Sequence, residues 1–256
     1  MNNKKLRNYN LIGISGHKES GKDLVARIIQ YLRYREENPN FSTDSISSIN
    51  LSNYFQYGFC LFPTNGEECI NITEESGLEN RKFADKVKDI VCLLIGCTRE
   101  QLEDRDFKEK PLGEEWWIYR VKDTPHSPYR SVPYNKDHTF KSFYSMKEIQ
   151  TSPRILLQLL GTDFGREMVH PNIWINSLLN NYIPNVSKWL VSDVRFSNEV
   201  EAIQQKGGVV VRIVRDENTS DKHTSEIVLN NYGNFDFVIK NDGTIADLIQ
   251  KIKEIY

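Results

Sequence analysis

The chain has 256 residues, of which 39% are hydrophobic and 27% charged, as is ordinary for a globular protein. Its formal net charge of -2 gives no general reason to expect binding to nucleic acid or to a membrane. No apolar run approaches the length of a membrane span, and the polar N-terminus lacks the apolar core of a signal peptide.

The first predicted element is an apolar strand over about residues 9–14, which leads into a glycine-rich turn. Residues 13–23 read Gly-Ile-Ser-Gly-His-Lys-Glu-Ser-Gly-Lys-Asp, and an amphipathic helix follows. In this context a G-x-x-x-x-G-K pattern indicates a phosphate-binding loop, or P-loop. Gly16 and Gly21 let the backbone fold around an anion, and N–H groups at the helix start point at the phosphates. Lys22 would reach the β- and γ-phosphates of a nucleotide.

Asp23 opens the helix, which is predicted over about residues 21–35. The P-loop pattern usually has Ser or Thr at this position, and its hydroxyl binds Mg²⁺. A carboxylate is also a hard oxygen ligand, so Asp23 is a candidate metal ligand, directly or through water. The alternative is that Asp23 only caps the first helical turn, and the two roles are compatible. The aspartate favours a P-loop kinase over a GTPase or a motor ATPase.

The middle of the chain has a weaker pattern. Its predicted elements are a strand within residues 45–51, a loop or small insertion over 52–80, and a helix over about 81–95 that ends at Gly96. Residues 97–150 are polar, rich in Trp, Tyr and Pro, and lack a long periodic pattern. In a nucleotide kinase such a stretch holds substrate-binding and lid segments. We therefore expect inserted segments of this kind within residues 52–150 of a single P-loop kinase domain that spans residues 1–256.

One face of the predicted helix at 81–95 is apolar: it carries Phe83, Val87, Ile90, Val91 and Leu94. Cys92 and Cys97 fall in the same stretch and are expected to be core thiols. The four cysteines of the chain show no spacing typical of a zinc site. A reduced, cytosolic protein is therefore expected.

Core structure is predicted to resume near residue 151. The first predicted element there is a helix that is capped by Thr151 or Ser152, has Pro153 in its first turn and runs to Leu160. After it we predict a helix over about 172–182, a strand over 188–192 that ends at Asp193, and a helix over about 197–206. The last predicted elements are strands over 209–214 and 235–239 and a helix over 244–255. This alternation predicts an α/β fold, a three-layer P-loop NTPase sandwich with a mostly parallel sheet. Ligands bind at the carboxyl ends of such strands, so the P-loop and Asp193 are expected on one rim.

Charged side chains near that rim are candidates for phosphate binding. Asp193 could contact Mg²⁺ or a substrate hydroxyl, and Arg195 could pair with phosphate or a base edge; an ordinary loop salt bridge is the alternative. Arg154, near a helix start, and Arg166 are candidates to neutralise phosphate charge, with a solvated helix position as the alternative for Arg166. Asp163 could accept hydrogen bonds from a base or sugar, or cap a turn.

Lysine and tryptophan residues give less specific signals. Lys86 and Lys88 would ordinarily lie on a solvated face of their helix. Trp116, Trp117 and Trp174 are ordinarily core residues, and base stacking is the alternative for each. The five histidines show neither H-x-x-x-H nor H-E-x-x-H spacing, so the sequence does not support a metallohydrolase.

Six segments follow one another along most of the chain: residues 15–23 (SGHKESGKD), 82–89 (KFADKVKD), 160–163 (LGTD), 170–174 (HPNIW), 192–199 (SDVRFSNE) and 223–226 (HTSE). Together they resemble the bacteriophage deoxynucleoside monophosphate kinase family, to which residues 98–104 (TREQLED) are also similar. An aspartate after the P-loop lysine belongs to the pattern of that family.

The resemblance implies transfer of the γ-phosphoryl group of ATP to a deoxynucleoside monophosphate (dNMP), with Mg²⁺, to give the diphosphate and ADP. It implies that ATP is held by Gly16, His17, Lys18, Glu19, Ser20, Gly21, Lys22, Asp23 and Leu24. It implies Lys22, Lys18 and Arg154 as catalytic residues, and Lys18, Lys88 and Arg154 as contacts of the acceptor phosphate. The residues implied around the acceptor sugar and base are Gly161, Thr162, Asp163, Trp174, Asp193, Arg195 and Glu199, with Ser225 helping to close that site.

Two alternatives stay open. One is another P-loop small-molecule kinase, such as phosphomevalonate kinase, whose loop also ends in Gly-Lys-Asp, or dephospho-coenzyme A kinase. The other is a regulatory or packaging protein that binds ATP without phosphorylating a small molecule, although the sequence has no basic stripe for nucleic acid. No nucleic-acid or membrane partner is expected, and a homodimer is compatible with the resemblance. The expected location is the cytoplasm, that of the host cell if the chain is viral.

Overall fold

The computed structural model describes residues 4–17, 19–39, 60–61, 70–71, 76–121, 146–215, 229 and 232–256. The chain forms two compact units: unit 1 comprises Met1–Phe83 and Leu178–Tyr256, and unit 2 comprises Ala84–Ser177. The expectation of inserted substrate-binding and lid segments within residues 52–150 stays a prediction. No helix within the described ranges is long and apolar enough to cross a membrane.

The described elements alternate between strands and helices along much of the chain. In order they are β1 (Leu11–Gly16), α1 (Lys22–Glu37), β2 (Cys60–Leu61), β3 (Ile70–Asn71), β4 (Glu79–Arg81), α2 (Asp85–Ile95), α3 (Arg99–Glu103), α4 (Arg105–Glu109), β5 (Ile118–Val121), β6 (Met146–Ile149), α5 (Pro153–Gln158), a π-helix (Leu159–Val169), α6 (Ile173–Leu179), β7 (Trp189–Val194), α7 (Ser197–Gln205), β8 (Val209–Val214), β9 (Phe237–Lys240) and α8 (Ile245–Ile255). Short 3₁₀ turns cover Leu6–Asn8 and Glu114–Trp116.

Unit 1 contains a five-stranded sheet in the order β4-β7-β1-β8-β9, and every neighbouring pair is parallel. The register places Ser15 of β1 opposite Val194 of β7, and Gly16 opposite Ile213 of β8. The carboxyl ends of parallel strands meet at one edge of a sheet. The P-loop therefore begins beside the end of β7, which carries Asp193.

Both faces of this sheet are covered. On one face, Ile14 packs in a cluster with Ile28 of α1 and Ile249 of α8. On the other face Gly13 lies against α7, because a Cβ on Gly13 would be 2.8 Å from Cδ1 of Ile203. Strands covered on both sides read as near-continuous apolar runs, as β1 and β8 do. The predicted three-layer α/β fold is confirmed, and the predicted strand over 209–214 coincides with β8.

The hydrophobic pattern does not reveal β4. It predicts a loop up to residue 80 and a helix from residue 81, whereas Glu79–Arg81 form a strand and α2 begins only at Asp85. All three residues of β4 are polar and exposed, and they form a strand because they pair with β7, with Glu79 opposite Trp189. Strand formation at such an edge depends on its neighbour more than on intrinsic propensity. The strand predicted within 45–51 lies outside the described residues.

Helix ends in unit 2 follow the predicted signals. The Ser152 hydroxyl accepts the N–H of Ile155 at 3.4 Å and caps α5, with Pro153 at its first position. Gly96 ends α2 with φ 67°, a left-handed conformation that glycine adopts without steric cost. Thr98 then caps α3 and forms a capping box with Gln101.

The apolar face of α2 is only half covered within the described part of the chain. Val87 and Val91 are buried, but Ile90 and Leu94 are 38% and 49% exposed. Cys92 and Cys97 are half-buried free thiols with their sulfur atoms 3.8 Å apart. The prediction that they are core thiols is therefore too strong, since they lie towards the exposed end of this helix.

The helix predicted to run through Leu160 does not stop there. α5 ends at Gln158 and continues without a break into the π-helix, which extends to Val169. The segment Gly161-Thr162-Asp163 lies inside this helix, so Asp163 does not cap a turn. π-Helical turns are rare and frequently occur at functional sites.

Candidate active site

The P-loop joins β1 to α1 and is shaped by a left-handed residue. β1 ends at Gly16 and α1 begins at Lys22. Gly21 between them has φ 92°, and a Cβ on Gly21 would lie 2.7 Å from Nδ2 of Asn241. Only glycine fits both the backbone angle and the close neighbour. The turn therefore presents the first N–H groups of α1, and the positive end of its dipole, to an anion.

Lys22 is half-buried, and its ammonium donates a hydrogen bond to the carbonyl oxygen of His17 at 3.2 Å. The side chain therefore folds back over the loop instead of extending into solvent. Leu24, two residues later, packs against the core of unit 1.

Ser20 provides a test of whether the loop fits a phosphate. The residue is 1% exposed, and among the described residues its hydroxyl has no hydrogen-bond partner. Its N–H donates to the carbonyl of His17 at 3.2 Å. A buried hydroxyl without a partner is destabilising, and a phosphate oxygen would satisfy it. The unsatisfied hydroxyl, the glycine turn and the helix start together fit a phosphate group.

Asp23 is exposed in the first turn of α1, where a carboxylate also interacts favourably with the helix dipole. Within the described ranges, no group of three or more His, Cys, Asp or Glu side chains is placed to hold a metal. Mg²⁺ is commonly bound by one or two carboxylates together with substrate phosphates and water. Asp23 supplies one exposed carboxylate of this kind at the start of α1.

The end of β7 brings together three of the predicted residues. Asp193 is half-buried, and its Oδ1 accepts the N–H of Phe83 at 2.9 Å. Arg195 is exposed, and its backbone N–H donates to Oε2 of Glu199 at 2.6 Å. The same Glu199 oxygen accepts the N–H of Phe196 at 3.0 Å. Glu199 is 1% exposed, so its carboxylate holds the turn that carries Arg195.

In unit 2, two of the predicted phosphate-binding cations are paired with carboxylates. Lys88 of α2 forms an ion pair with Glu103 of α3, and Arg154 of α5 pairs through Nε with Glu109 of α4. The Lys88 side chain is only 14% exposed, so a solvated face does not describe it. Lys86, at 64% exposure, does match that description.

Lys108 on α4 is a third cation in this part of unit 2. It is half-buried, and this burial lowers its pKa; Glu103 acts in the opposite direction, while the charges of Lys88 and Arg154 lower the pKa further. We call Lys88, Lys108 and Arg154 the cation cluster. The sequence gives no signal for Lys108, because its burial depends on how α4 packs.

Trp174 holds the π-helix in place. Its indole Nε1 donates to the carbonyl oxygen of Gly161 at 2.6 Å, and the residue is 7% exposed. A Cβ on Gly165 would lie 2.7 Å from Cζ2 of Trp174, so the ring packs directly on the helix backbone. Thr162 and Asp163 are half-buried on the same helix. The core role of Trp174 and a contribution to the site are therefore compatible.

The predicted site residues divide between the two units. Unit 1 holds Gly16, His17, Glu19, Ser20, Gly21, Lys22, Asp23, Leu24, Asp193, Arg195 and Glu199, and unit 2 holds Lys88, Arg154, Gly161, Thr162, Asp163 and Trp174. Lys18 and Ser225 lie outside the described residues. Arg166 donates to the carbonyl of Pro171 at 3.4 Å within unit 2. Which of these residues contact a substrate stays a prediction.

Three further side chains, which the sequence does not single out, contact the P-loop. One lies on β8, one just beyond β8 and one just beyond β9. Arg212 donates to the Ser15 hydroxyl at 2.9 Å. Arg215 donates to the carbonyl of Glu19 at 3.1 Å, and Asn241 donates to the carbonyl of Ser20 at 2.9 Å. The available signal was one charged residue, Arg212, inside the otherwise apolar run of residues 209–214.

Comparison with known proteins indicates the family of the chain. Residues 117–252 match the sequence profile of a family described as "Deoxynucleotide monophosphate kinase". The chain is similar to the deoxynucleotide monophosphate kinase of Enterobacteria phage T4, with 32% identity over 95% of this chain and 97% of the relative. It is 24% identical to the deoxynucleoside-5'-monophosphate kinase of Escherichia phage T5, over 76% of this chain and 72% of the relative. The corresponding kinase of Escherichia phage RB69 is 33% identical, over 41% of this chain and 44% of the relative. The chain therefore belongs to the deoxynucleotide monophosphate kinase family.

Proposed function

We propose that the protein transfers the γ-phosphoryl group of ATP to a deoxynucleoside monophosphate, giving ADP and a deoxynucleoside diphosphate. One observation carries the proposal. The P-loop, with Lys22 at the start of α1, lies in a chain that is 32% identical over 95% of its length to the T4 deoxynucleotide monophosphate kinase. A loop of this kind binds a polyphosphate, and the family supplies the nature of the acceptor.

We assign the donor phosphates to the P-loop. The first N–H groups of α1, the buried hydroxyl of Ser20 and the ammonium of Lys22 are the donors available for phosphate oxygens. Asp23, with Asp193 on the neighbouring strand end, would hold a Mg²⁺ ion that accompanies the nucleotide. Bound Mg²⁺ neutralises charge on the transferring phosphoryl group.

We assign the acceptor phosphate to the cation cluster, with Lys18 as a further predicted contact. Glu103 and Glu109 pair with Lys88 and Arg154. A phosphate dianion can replace Glu109, because the Arg154–Glu109 pair is exposed and such pairs contribute only about 0–1 kcal/mol. At the largely buried Lys88 it would replace the exposed carboxylate of Glu103. Following the family resemblance, sugar and base recognition is assigned to Gly161, Thr162, Asp163, Trp174, Asp193, Arg195, Glu199 and Ser225.

The reaction needs little covalent chemistry from the protein. An oxygen of the acceptor phosphate is already an adequate nucleophile, so a strong general base is not required. The rate then depends on in-line positioning of the two phosphates and on neutralising the charge that develops between them. Lys22 and Arg154 are the catalytic residues in this scheme, with Lys18 as a further candidate. Closure of a lid segment over the bound substrates would exclude water and limit ATP hydrolysis.

The test is an ATP-consumption assay across several acceptors. Purified protein with Mg²⁺ is given each of the four common dNMPs, their ribose counterparts, phosphomevalonate, dephospho-coenzyme A, or no acceptor. We expect ADP to form only when a nucleoside monophosphate is present, with at least one dNMP as a good acceptor. ADP formation only with phosphomevalonate or dephospho-coenzyme A would identify a different kinase. ATP binding without any acceptor-dependent turnover would identify a regulatory protein. The expected cytoplasmic location and homodimer stay predictions.

A further inference from the structure

We propose that Arg212, Arg215 and Asn241 act as positioning residues that hold the P-loop in its phosphate-binding shape before the nucleotide arrives. We call these three residues the loop clamp. The proposal rests on the proposed function only in treating the P-loop as the donor site. It assigns a role in donor binding to side chains that are not part of the loop itself.

Arg212 is the central member of the clamp. It lies on β8 directly opposite Ser15 and is only 7% exposed. Its neighbours on the strand are valine and isoleucine, so burying a charge there is costly unless the guanidinium is well bonded. The guanidinium carbon also lies 5.7 Å from the ring centroid of Phe235, where a cation is favoured. An apolar residue would suit this core position, so the arginine indicates a role beyond packing.

Arg212 contacts both the strand and the loop. Nη1 donates to the Ser15 hydroxyl at 2.9 Å, and Nη2 lies 3.3 Å from Nε2 of His17. A guanidinium can only donate, so Nε2 of His17 is the acceptor in this hydrogen bond. The planar guanidinium gives its donors fixed directions. It therefore ties the end of β1 to the first residue of the turn.

Asn241 and Arg215 act on the carbonyl groups of the loop. The side-chain amide of Asn241 donates to the Ser20 carbonyl at 2.9 Å. Its backbone N–H donates to the carbonyl of Val214 at 2.7 Å, so Asn241 is anchored to the end of β8. In a planar trans peptide the C=O and N–H groups point in opposite directions. Holding the Ser20 carbonyl towards Asn241 therefore turns the N–H of Gly21 away from Asn241.

Glu19 shows why the loop needs support. It has φ 64°, the left-handed conformation, and it is not a glycine. That conformation is sterically unfavourable for a residue with a side chain. Arg215 donates to the carbonyl of Glu19 at 3.1 Å, which offsets the cost. The clamp thus stabilises the strained turn, and its two arginines add positive charge beside the loop.

The experiment measures nucleotide binding separately from turnover. Calorimetry gives Kd for ADP with Mg²⁺, kinetics give KM for ATP and for the preferred dNMP, and urea titration gives stability. The variants are Arg212→Met and Arg212→Lys. The matched control is Arg33→Met: Arg33 is also 7% exposed and donates to the Tyr9 carbonyl at 3.0 Å, and it lies about 16 Å along α1 from Lys22.

We expect Arg212→Met to weaken ADP binding and raise KM for ATP by about tenfold or more, with KM for the dNMP changed less than about twofold. Arg212→Lys keeps the charge without the planar fork and should recover part of the loss. Arg33→Met should lower the urea midpoint but leave ADP binding within about twofold of the wild type, since its hydrogen bond lies away from the loop.

A folded Arg212→Met protein that binds ADP as tightly as the wild type would overturn the proposal. If Arg212→Met does not fold, Arg215→Met and Asn241→Ala decide, because Arg215 is exposed and Asn241 only half-buried. Weaker ADP binding in both, by about threefold or more, supports the clamp, and unchanged binding in both overturns it. If the wild type binds ADP but shows no dNMP-dependent transfer, the proposed function fails while these binding comparisons still test the clamp.

Discussion

In the proposed function, Lys22 is the side chain on which phosphoryl transfer depends most directly. It is the first residue of α1, and its ammonium reaches back to the His17 carbonyl at 3.2 Å. The charge therefore lies over the backbone that we assign to the donor phosphates. A fixed cation at that place stabilises negative charge as it develops on the transferring group, without reorganisation at the moment of reaction.

We expect Lys22→Ala to lower kcat by about 100-fold or more, because one preorganised donor to developing charge is worth about that much. The fold should be retained, since Lys22 is only half-buried at the rim of the sheet. The measurements are kcat with the preferred dNMP and a urea titration. Lys253→Ala, at an exposed position of α8, serves as the control and should match the wild type. A kcat within about tenfold of wild type for Lys22→Ala would contradict the loop assignment.

Asp236 is a second residue whose charge matters, here for stability. Its side chain is 8% exposed and accepts from Lys4 at 2.7 Å, from Gln204 at 3.0 Å and from the N–H of Val210 at 2.9 Å. Burial acts to raise the pKa of Asp236, but hydrogen bonds from Gln204, Lys4 and Val210 outweigh it. The pKa therefore lies below its ordinary value.

Because the folded pKa is lower than the unfolded one, the Asp236 carboxylate stabilises the fold above about pH 4, and this contribution is lost as the pH falls through the folded pKa. Asp236→Asn should lower the free energy of unfolding by about 1–3 kcal/mol at neutral pH. Its difference from the wild type should shrink as the pH falls below about 4. Urea titrations across this range, with the exposed Glu201→Gln as control, measure the effect. A difference that does not change with pH would refute this explanation.

The segment formed by α5, the π-helix and α6 depends on close backbone packing. The Trp174 indole donates to Gly161 at 2.6 Å, and the ring occupies the space where Gly165 lacks a side chain. The hydrogen bond and the contact together fix where Thr162 and Asp163 lie. A π-helix closes each hydrogen bond over one more residue than an α-helix does and is rare, so these contacts help to hold it.

Gly165→Ala should therefore move Trp174, because the new Cβ would lie 2.7 Å from its ring and 2.6 Å from the Leu160 carbonyl. We expect a changed tryptophan emission spectrum, a loss of stability of about 1–3 kcal/mol and a raised KM for the dNMP. The control is Gly233→Ala, since a Cβ at Gly233 meets nothing within 4 Å. A Gly165→Ala protein with wild-type emission and KM would show that the contact is not needed.

The charge of the whole molecule is nearly balanced, at -2, yet cations converge at two places. Lys22, Arg212 and Arg215 contact the P-loop in unit 1, and the cation cluster lies in unit 2. In the proposed function, attraction for phosphates is therefore local and does not come from the net charge. Ligands that bind such sites only in the folded protein must also raise its stability.

We expect ADP with Mg²⁺ at about 100 times its Kd to stabilise the protein by about 2.7 kcal/mol. For a chain of this size that corresponds to a rise in Tm of about 5–10 °C. Thermal unfolding with and without nucleotide measures it. Lys22→Ala should show a much smaller rise at the same ADP concentration. No rise for the wild type would contradict nucleotide binding by the P-loop.

Elements with a strong local pattern were predicted well. The run of residues 209–214 matches β8, and Gly96 ends α2 as its position suggested. In both cases the deciding information lies within a few neighbouring residues. β4 was missed because its three polar residues show no hydrophobic period. The π-helix was missed because it differs from an α-helix in its hydrogen bonds and not in its composition.

The P-loop residues and the family were accessible from the sequence, because a glycine turn between a strand and a helix has a fixed spacing that carries its own chemistry. Only the tertiary structure decided that Arg212 lies opposite Ser15, that Glu199 holds the turn of Arg195, and that Lys108 joins Lys88 and Arg154. These relations link residues distant in the chain or depend on how helices pack. The hydrophobic period and the spacing of turn residues indicate whether a segment forms a helix, a strand or a turn. They do not indicate which strands and helices become neighbours.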